Sequence, residues 1–202
     1  METAHRYRLL ASVLGYPGPG TAAEAAECSA ALRPHSSGAA ARVERLATFA
    51  ASADPRALEE LYARTFDFTP ARTLDLGFQL FGETYKRGMF LVKMQEALRV
   101  YGIDGGRELP DHLPSLLRLL AVLPPGPARE LADEVLLPAT SKLLAAFEGE
   151  ENPYRAALEA VVALLQADFA ITEILPIPEE QAPLLPPGMV PLRVRGAQET
   201  AS

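Results

Sequence analysis

The sequence predicts an all-α protein, a single-domain helical bundle of about eight or nine helices. Leucine and alanine dominate the chain, and strand-like alternation of β-branched residues is almost absent. Apolar residues recur at the three- and four-residue spacing of a helix face along most of the length. The 202 residues suffice for one domain with a buried core. We therefore expect one all-helical domain over residues 1–175.

Turn and cap residues divide the helical pattern into elements. Asp54-Pro55 and Asn152-Pro153 each place an N-cap side chain before a proline at the first helical position. Pro138 lies inside a helical pattern, where its missing N–H should kink the helix. The expected helices span residues 7–14, 21–32, 39–51, 56–66, 73–81, 84–101, 112–122, 128–147 and 154–171.

The composition of the chain changes after Leu175. Residues 176–202 contain six prolines and show no helical periodicity. Such a segment cannot continue the bundle, so we expect an extended or disordered, proline-rich tail.

Composition excludes several functional classes. The net charge of −7 and the pI of about 5.1 disfavour nucleic-acid binding and favour a basic ligand or peptide. No apolar run is long enough to span a bilayer, and the short one near the N-terminus is interrupted by Ser12, so we expect neither membrane insertion nor a signal peptide. A lone cysteine, Cys28, suits a reducing compartment, so we expect a cytoplasmic protein. The three histidines lie far apart and predict no metal site.

The segment from Arg107 to Ala121, RELPDHLPSLLRLLA, has the chemistry of a helix start. Asp111 is expected to be the N-cap, with its carboxylate aimed at the amide of Leu113. His112 would then be a partly exposed residue of the first turn. Two interpretations remain open, a structural cap with a histidine on the rim, or a polar rim that holds a ligand.

A second informative segment, residues 62–101, is rich in aromatic side chains. On its last helix Arg87 projects into the apolar arc, which is costly unless a carboxylate meets it. Either Arg87 pairs with Asp67 or Asp75 and fixes the adjacent loop, or its side chain extends out to solvent. Phe66 and Phe68 flank Asp67 at a helix end, where they either close a corner of the core, which we favour, or line a groove for a partner helix.

These segments resemble a known family in an ordered combination that covers roughly residues 5–170. The motifs are Arg6-Tyr7-x-Leu9-Leu10-Ala11-x-x-Leu14-Gly15-Tyr16-Pro17, Tyr62-x-x-Thr65-Phe66-Asp67-Phe68, Leu74, Phe81-Gly82, Arg87-Gly88-Met89 and Glu108-Leu109-Pro110-Asp111-His112-Leu113-Pro114. The chain resembles the NarJ-type assembly chaperones of respiratory nitrate reductase, within the all-helical TorD/DmsD-like superfamily of redox-enzyme maturation chaperones.

The resemblance implies a chaperone without enzymatic activity, and we expect no cofactor or metal of its own. Such a protein binds the N-terminal peptide of the apo, molybdopterin-binding catalytic subunit of nitrate reductase. It keeps that subunit competent for insertion of the molybdenum cofactor, delays its docking at the membrane and is absent from the final enzyme. The implied client-binding residues are Asp67, Arg87, Glu108, Asp111 and His112, with Tyr62, Phe66, Phe68 and Phe81 as an apolar wall.

Two other functions compete with this one. Asp111 and His112 could serve a small-molecule enzyme, which a buried pocket holding a histidine of shifted pKa would favour. Alternatively the chain is a helical adaptor with a constitutive partner. An open groove would favour the chaperone.

Overall fold

The computed structural model describes residues 2–147, 149, 151–174 and 176–177. Within them every regular element is a helix, which confirms the all-α prediction. Residues 178–202, most of the expected tail, lie outside the described part. The α-helices are α1 (Glu2–Val13), α2 (Thr21–Leu32), α3 (Ser37–Ser52), α4 (Pro55–Tyr62), α5 (Leu76–Phe81), α6 (Tyr85–Val100), α7 (Leu113–Leu120), α8 (Pro125–Leu131), α9 (Leu137–Ala145) and α10 (Pro153–Phe169).

Two of the predicted caps are present. The Asp54 side chain accepts from the amide of Arg56 at 2.9 Å, and the Asn152 side chain accepts from the amide of Tyr154 at 2.9 Å. Each satisfies an amide that has no partner within its own helix, with a proline occupying the first helical position. These local signals therefore place the starts of α4 and α10 correctly.

Two π-helical turns interrupt the helices. The first, Ala63–Asp67, extends α4 and is followed by a short 3-10 turn over Pro70–Arg72. The second, Ala132–Leu136, joins α8 to α9 immediately before Pro138. The irregularity expected from Pro138 is thus present as a wider turn preceding it, because that proline has no N–H to continue the ladder.

The helices pack around a single apolar core. α2 and α3 pack side by side, α10 lies against α3, α9 and α1, and α1 also contacts α7. The core residues Leu10, Val43, Leu117 and Val161 are fully buried. No helix in the described ranges is long and apolar enough to cross a membrane.

The segment before α5 departs from the prediction. A helix was expected from residue 73, but α5 begins only at Leu76. Asp75 is extended because it pairs with His112 at the start of α7: the amide of Leu76 donates to Asp111 O at 2.9 Å, and the amide of Leu113 donates to Leu74 O at 2.9 Å. This isolated antiparallel bridge joins the two segments that the sequence singled out.

Candidate functional site

A solvent-accessible cleft of about 430 Å³ lies where the two segments meet. Its lining combines aromatic side chains with carboxylates, an arginine and a histidine. The lining residues are Tyr16, Tyr62, Phe66, Asp67, Pro70, Thr73, Leu74, Asp75, Phe78, Arg87, Glu108 and His112.

The aromatic floor of the cleft is built from the end of α4 and its π turn. The rings of Tyr62 and Phe66 meet edge-on with centroids 5.0 Å apart, and both pack edge-on against Tyr154 at the start of α10. Tyr16 joins this group, its ring centroid lying 5.3 Å from that of Tyr62. Tyr62 and Phe66 are nearly fully buried, so the floor is a rigid part of the core.

In the wall of the cleft, Arg87 bridges two carboxylates. Its Nη2 lies 3.0 Å from Asp75 Oδ2 and its Nε lies 3.3 Å from Asp111 Oδ2. The side chain is only 16% exposed, so it does not extend out to solvent. The predicted pairing of Arg87 with Asp67 or Asp75 is therefore confirmed for Asp75, while the second partner, Asp111, was not anticipated.

The expectation that Asp111 caps its own helix is wrong. The N-cap of α7 is His112, and the amide of Leu113 is taken by the bridge to Leu74. The Asp111 carboxylate instead accepts from the amide of Gly77 at 3.1 Å, in the first turn of α5. Asp111 thus caps α5, which begins at Leu76, 35 residues before Asp111 in the chain.

Asp111 is completely buried, and its second oxygen has no hydrogen-bond partner among the described residues. Burial, reinforced by the neighbouring charge of Asp75, raises the pKa of Asp111 to about 6, and the Arg87 guanidinium opposes this rise. Ionising Asp111 near neutral pH therefore costs free energy, and the positive charge of Arg87 reduces that cost.

Gly77 is a position beside the site that the sequence analysis missed. A Cβ added there would lie 2.5 Å from Asp111 Oδ2 and 2.8 Å from a ring carbon of Phe90. Only glycine lets the carboxylate reach the amide of α5. The available signal was a glycine inside a helical pattern, which commonly marks close approach of another group.

His112 combines burial with access to the cleft. Its exposed fraction is 8%, it lines the cleft, and its side chain makes no hydrogen bond within the described part of the protein. The expectation that it is partly exposed is wrong, because the bridge to Asp75 draws it inward. Burial lowers the pKa of His112, outweighing the carboxylates of Glu108, Asp75 and Asp67, while Arg118 adds to the lowering. The ring is therefore neutral at pH 7 and able to accept a hydrogen bond.

The rim of the cleft is acidic. Asp67 and Glu108 are both exposed and line it, and neither forms an ion pair among the described residues. Partial burial and the charge of Glu108 raise the pKa of Asp67, whereas His112 lowers it. Burial, together with the carboxylates of Asp67, Glu108 and Asp75, also raises the pKa of Tyr62. The rim therefore concentrates negative charge above an aromatic floor.

The cleft thus brings together six of the nine residues singled out by the sequence, namely Tyr62, Phe66, Asp67, Arg87, Glu108 and His112. The other three lie outside its lining. Asp111 forms an ion pair with Arg87 outside the lining, and Phe81 packs against Phe90 with ring centroids 5.6 Å apart. The side chain of Phe68 is 75% exposed. We expected both Phe66 and Phe68 to be core residues. This is confirmed for Phe66 and wrong for Phe68.

The π turn separates these two phenylalanines. Its widened ladder, with the amide of Phe68 donating to Ala63 O at 3.1 Å, turns Phe66 inward and leaves Asp67 and Phe68 outside. Sequence periodicity alone does not reveal such a turn. The other lining residues come from α5 in the case of Phe78 and otherwise from loops and short turns, namely Tyr16, Pro70, Thr73, Leu74 and Asp75.

A second groove, of about 850 Å³, lies between α3 and the start of α10 and contains none of the nine residues. Among the described residues, no group of three or more histidine, cysteine or acidic side chains is placed to hold a metal ion.

The fold and the cleft define an all-helical bundle with an open, acidic and aromatic groove. Residues 33–160 match the family described as the nitrate reductase delta subunit, and the chain belongs to that family. It is 31% identical over 112 residues to the nitrate reductase molybdenum cofactor assembly chaperone NarJ of Escherichia coli strain K12. The NarJ of Escherichia coli O157:H7 gives the same identity over the same length. Each alignment covers 55% of this chain and 47% of the relative, so the chain spans about half the length of these relatives.

Proposed function

We propose that this protein is a dedicated assembly chaperone of respiratory nitrate reductase. It binds the N-terminal peptide of the apo catalytic subunit, keeps that subunit competent for insertion of the molybdenum cofactor and delays its docking at the membrane. It leaves before the enzyme is complete and catalyses no reaction itself. Family membership and the name of its NarJ relatives support the class of client.

The observation that carries the proposal is the composition of the cleft. The exposed ring of Tyr16, packed on the buried rings of Tyr62 and Phe66, offers an apolar contact for a peptide helix, and Asp67 and Glu108 offer unpaired negative charge at the edge of the cleft. A basic amphipathic helix complements both features, since its apolar side chains enter the groove and its cations meet the rim. The cleft of about 430 Å³ is large enough for a few side chains.

The arrangement of Asp111 and His112 does not support the enzymatic alternative. Asp111 is fully buried and absent from the lining, and its Oδ2 accepts from Gly77 and Arg87. Within the described residues no hydrogen bond joins its carboxylate to the His112 ring, so the two do not form an acid–base pair. His112 does meet one expectation of that alternative, because it is buried and its pKa is lowered, but its ring opens into the cleft.

Isothermal titration calorimetry with the N-terminal peptide of the matching catalytic subunit tests the proposal. We expect binding to the full chain, and we expect the Asp67→Asn/Glu108→Gln variant to bind about five- to tenfold more weakly, since exposed ion pairs contribute up to about 1 kcal/mol each. The Glu24→Gln/Glu59→Gln variant removes the same charge from exposed positions outside the cleft and should bind normally.

The pH dependence adds a second readout. As the pH falls from 8 to 5 the affinity for a basic peptide should fall, because the raised pKa of Asp67 moves the loss of its negative charge to higher pH and because His112, although its pKa is lowered, moves toward its charged form. Equal affinities at the two pH values would show that the charges of Asp67 and His112 do not affect peptide binding. Absence of binding, or equal weakening by the control variant, would refute the proposed site. A stable complex that persists after cofactor loading would instead favour the constitutive adaptor.

A further inference from the structure

The acidic cleft has binding capacity that the described residues do not use. Asp67 and Glu108 have no cationic partner there, and the His112 side chain, 8% exposed, opens into the cleft without a hydrogen bond. The floor beneath them is aromatic, formed by Tyr62 and Phe66 with Tyr16 beside them. An aromatic groove with an acidic edge suits an extended, proline-rich segment that carries arginines.

The chain contains such a segment outside the described residues. Residues 183–195 read PLLPPGMVPLRVR, with four prolines, six other apolar side chains besides glycine, and no acidic residue. Arg193 and Arg195 are its only charged side chains. Proline-rich sequences favour the polyproline II conformation, which binds aromatic grooves at a low cost in conformational entropy.

We propose that residues 183–195 bind in cis to the cleft, as an internal competitor of the client peptide. The prolines and apolar side chains contact the aromatic floor, and Arg193 and Arg195 pair with the rim carboxylates of Asp67 and Glu108. The competition rests on the proposed function, whereas the docking itself does not. Docking would keep the apolar surface covered until a client with higher affinity displaces the segment.

The length of the chain permits this contact. The N-terminal end of α10 lies at the cleft, where Tyr154 packs on Tyr62 and Phe66. Its C-terminal end, at Phe169, is about 22 Å farther along the helix axis, and the described chain ends at Ile177. Residues 178–193 extend up to about 50 Å in a polyproline II conformation. That reach exceeds the length of α10 about twofold, which leaves room for a path over the surface.

The larger groove between α3 and α10 is a poorer match for this segment. Its lining mixes Arg45 and Arg155 with three carboxylates, and two of these are already paired: Glu159 Oε1 lies 3.3 Å from Arg155 Nη2, and Glu44 Oε2 lies 3.5 Å from Nη2 of the nearby Arg33. It therefore offers less uncompensated negative charge to Arg193 and Arg195 than the cleft does.

Paramagnetic relaxation in the full-length protein tests the docking. A nitroxide is attached through an Ala197→Cys substitution. The natural Cys28 is fully buried, and burial raises its pKa to about 12, so it should not react. We expect selective broadening of amide signals near Asp67 and Glu108. The Arg193→Glu/Arg195→Glu variant should lose this broadening, and adding Asp67→Lys/Glu108→Lys should restore it.

A control variant, Arg8→Glu/Arg56→Glu, makes the same change in net charge at exposed positions and should keep the broadening. Broadening spread evenly over the surface, or concentrated at the groove between α3 and α10, would overturn the inference. So would broadening at the cleft that persists in the Arg193→Glu/Arg195→Glu variant.

Calorimetry with the client peptide separates this inference from the proposed function. If the tail occupies the cleft 70–90% of the time, the Arg193→Glu/Arg195→Glu variant should bind the client about three- to tenfold more tightly than the parent. Equal affinities would refute the competition while leaving the chaperone function in place. Selective broadening at the cleft without any client binding would refute the function and leave the docking in place.

Discussion

Replacing Gly77 by alanine tests the contact on which the back of the cleft depends. The new Cβ would lie 2.5 Å from Asp111 Oδ2 and 2.8 Å from a ring carbon of Phe90. Neither neighbour is free to move, because Phe90 is 1% exposed in the core and Asp111 is held by Arg87. The substitution must therefore either push the ring aside or break the bond from the Gly77 amide to Asp111.

Three contributions set the expected loss of stability. Overpacking a core site costs about 1–3 kcal/mol. Breaking a hydrogen bond to a charged group costs about 1.5–3 kcal/mol. Alanine in place of glycine within a helix stabilises the folded state by about 0.5–1 kcal/mol. Since the variant either keeps the clash or loses the bond, only one of the two costs applies, and we expect a net loss of about 1–2.5 kcal/mol, or about 2–10 °C in Tm for a chain of this size.

Urea unfolding followed by circular dichroism at 222 nm measures this loss, with thermal melts in parallel. The matched control is Gly88→Ala in α6, where an added Cβ meets no atom within 4 Å. That variant should be unchanged or more stable by up to about 1 kcal/mol. If Gly77→Ala unfolds at the same urea concentration as the parent, or gains stability as Gly88→Ala does, the close approach of Asp111 to α5 is wrong.

Two further predictions concern single side chains around the cleft. The Arg87→Ala variant should lose about 2–3 kcal/mol at pH 8, because it leaves the Asp111 carboxylate buried without a cation. The loss should be smaller at pH 5, because the pKa of Asp111 in the folded protein, about 6, lies above its value in the unfolded chain. The ionised form of Asp111 therefore destabilises the folded variant, and protonation removes that destabilisation. Equal losses by urea unfolding at both pH values would contradict this. Phe68→Ala should change stability by less than about 0.5 kcal/mol but weaken client binding about fivefold, whereas Phe66→Ala should cost about 3 kcal/mol. Unchanged calorimetric affinity for Phe68→Ala would exclude that ring from the client surface.

The starts of α4 and α10 were predictable because their signals are local. Asp54 and Asn152 act within two residues of their own positions, and a proline beside each strengthens the same signal. The expected helix over residues 21–32 coincides with α2. The attraction of Arg87 for a carboxylate was also predictable, since a buried guanidinium requires one wherever the chain supplies it. The choice of Asp75 and Asp111 was not, because it depends on which elements meet.

The sequence alone determined an all-helical chain, the positions of most helices and the two segments that form the cleft, because periodicity and capping act over a few residues. Only the tertiary structure decided how those segments work together. It placed the Asp111 carboxylate at the first turn of α5 instead of its own helix, buried His112 through the bridge to Asp75 and left no room for a Cβ at Gly77. These contacts join residues about 35 positions apart, and no local preference encodes which distant amide a carboxylate will meet.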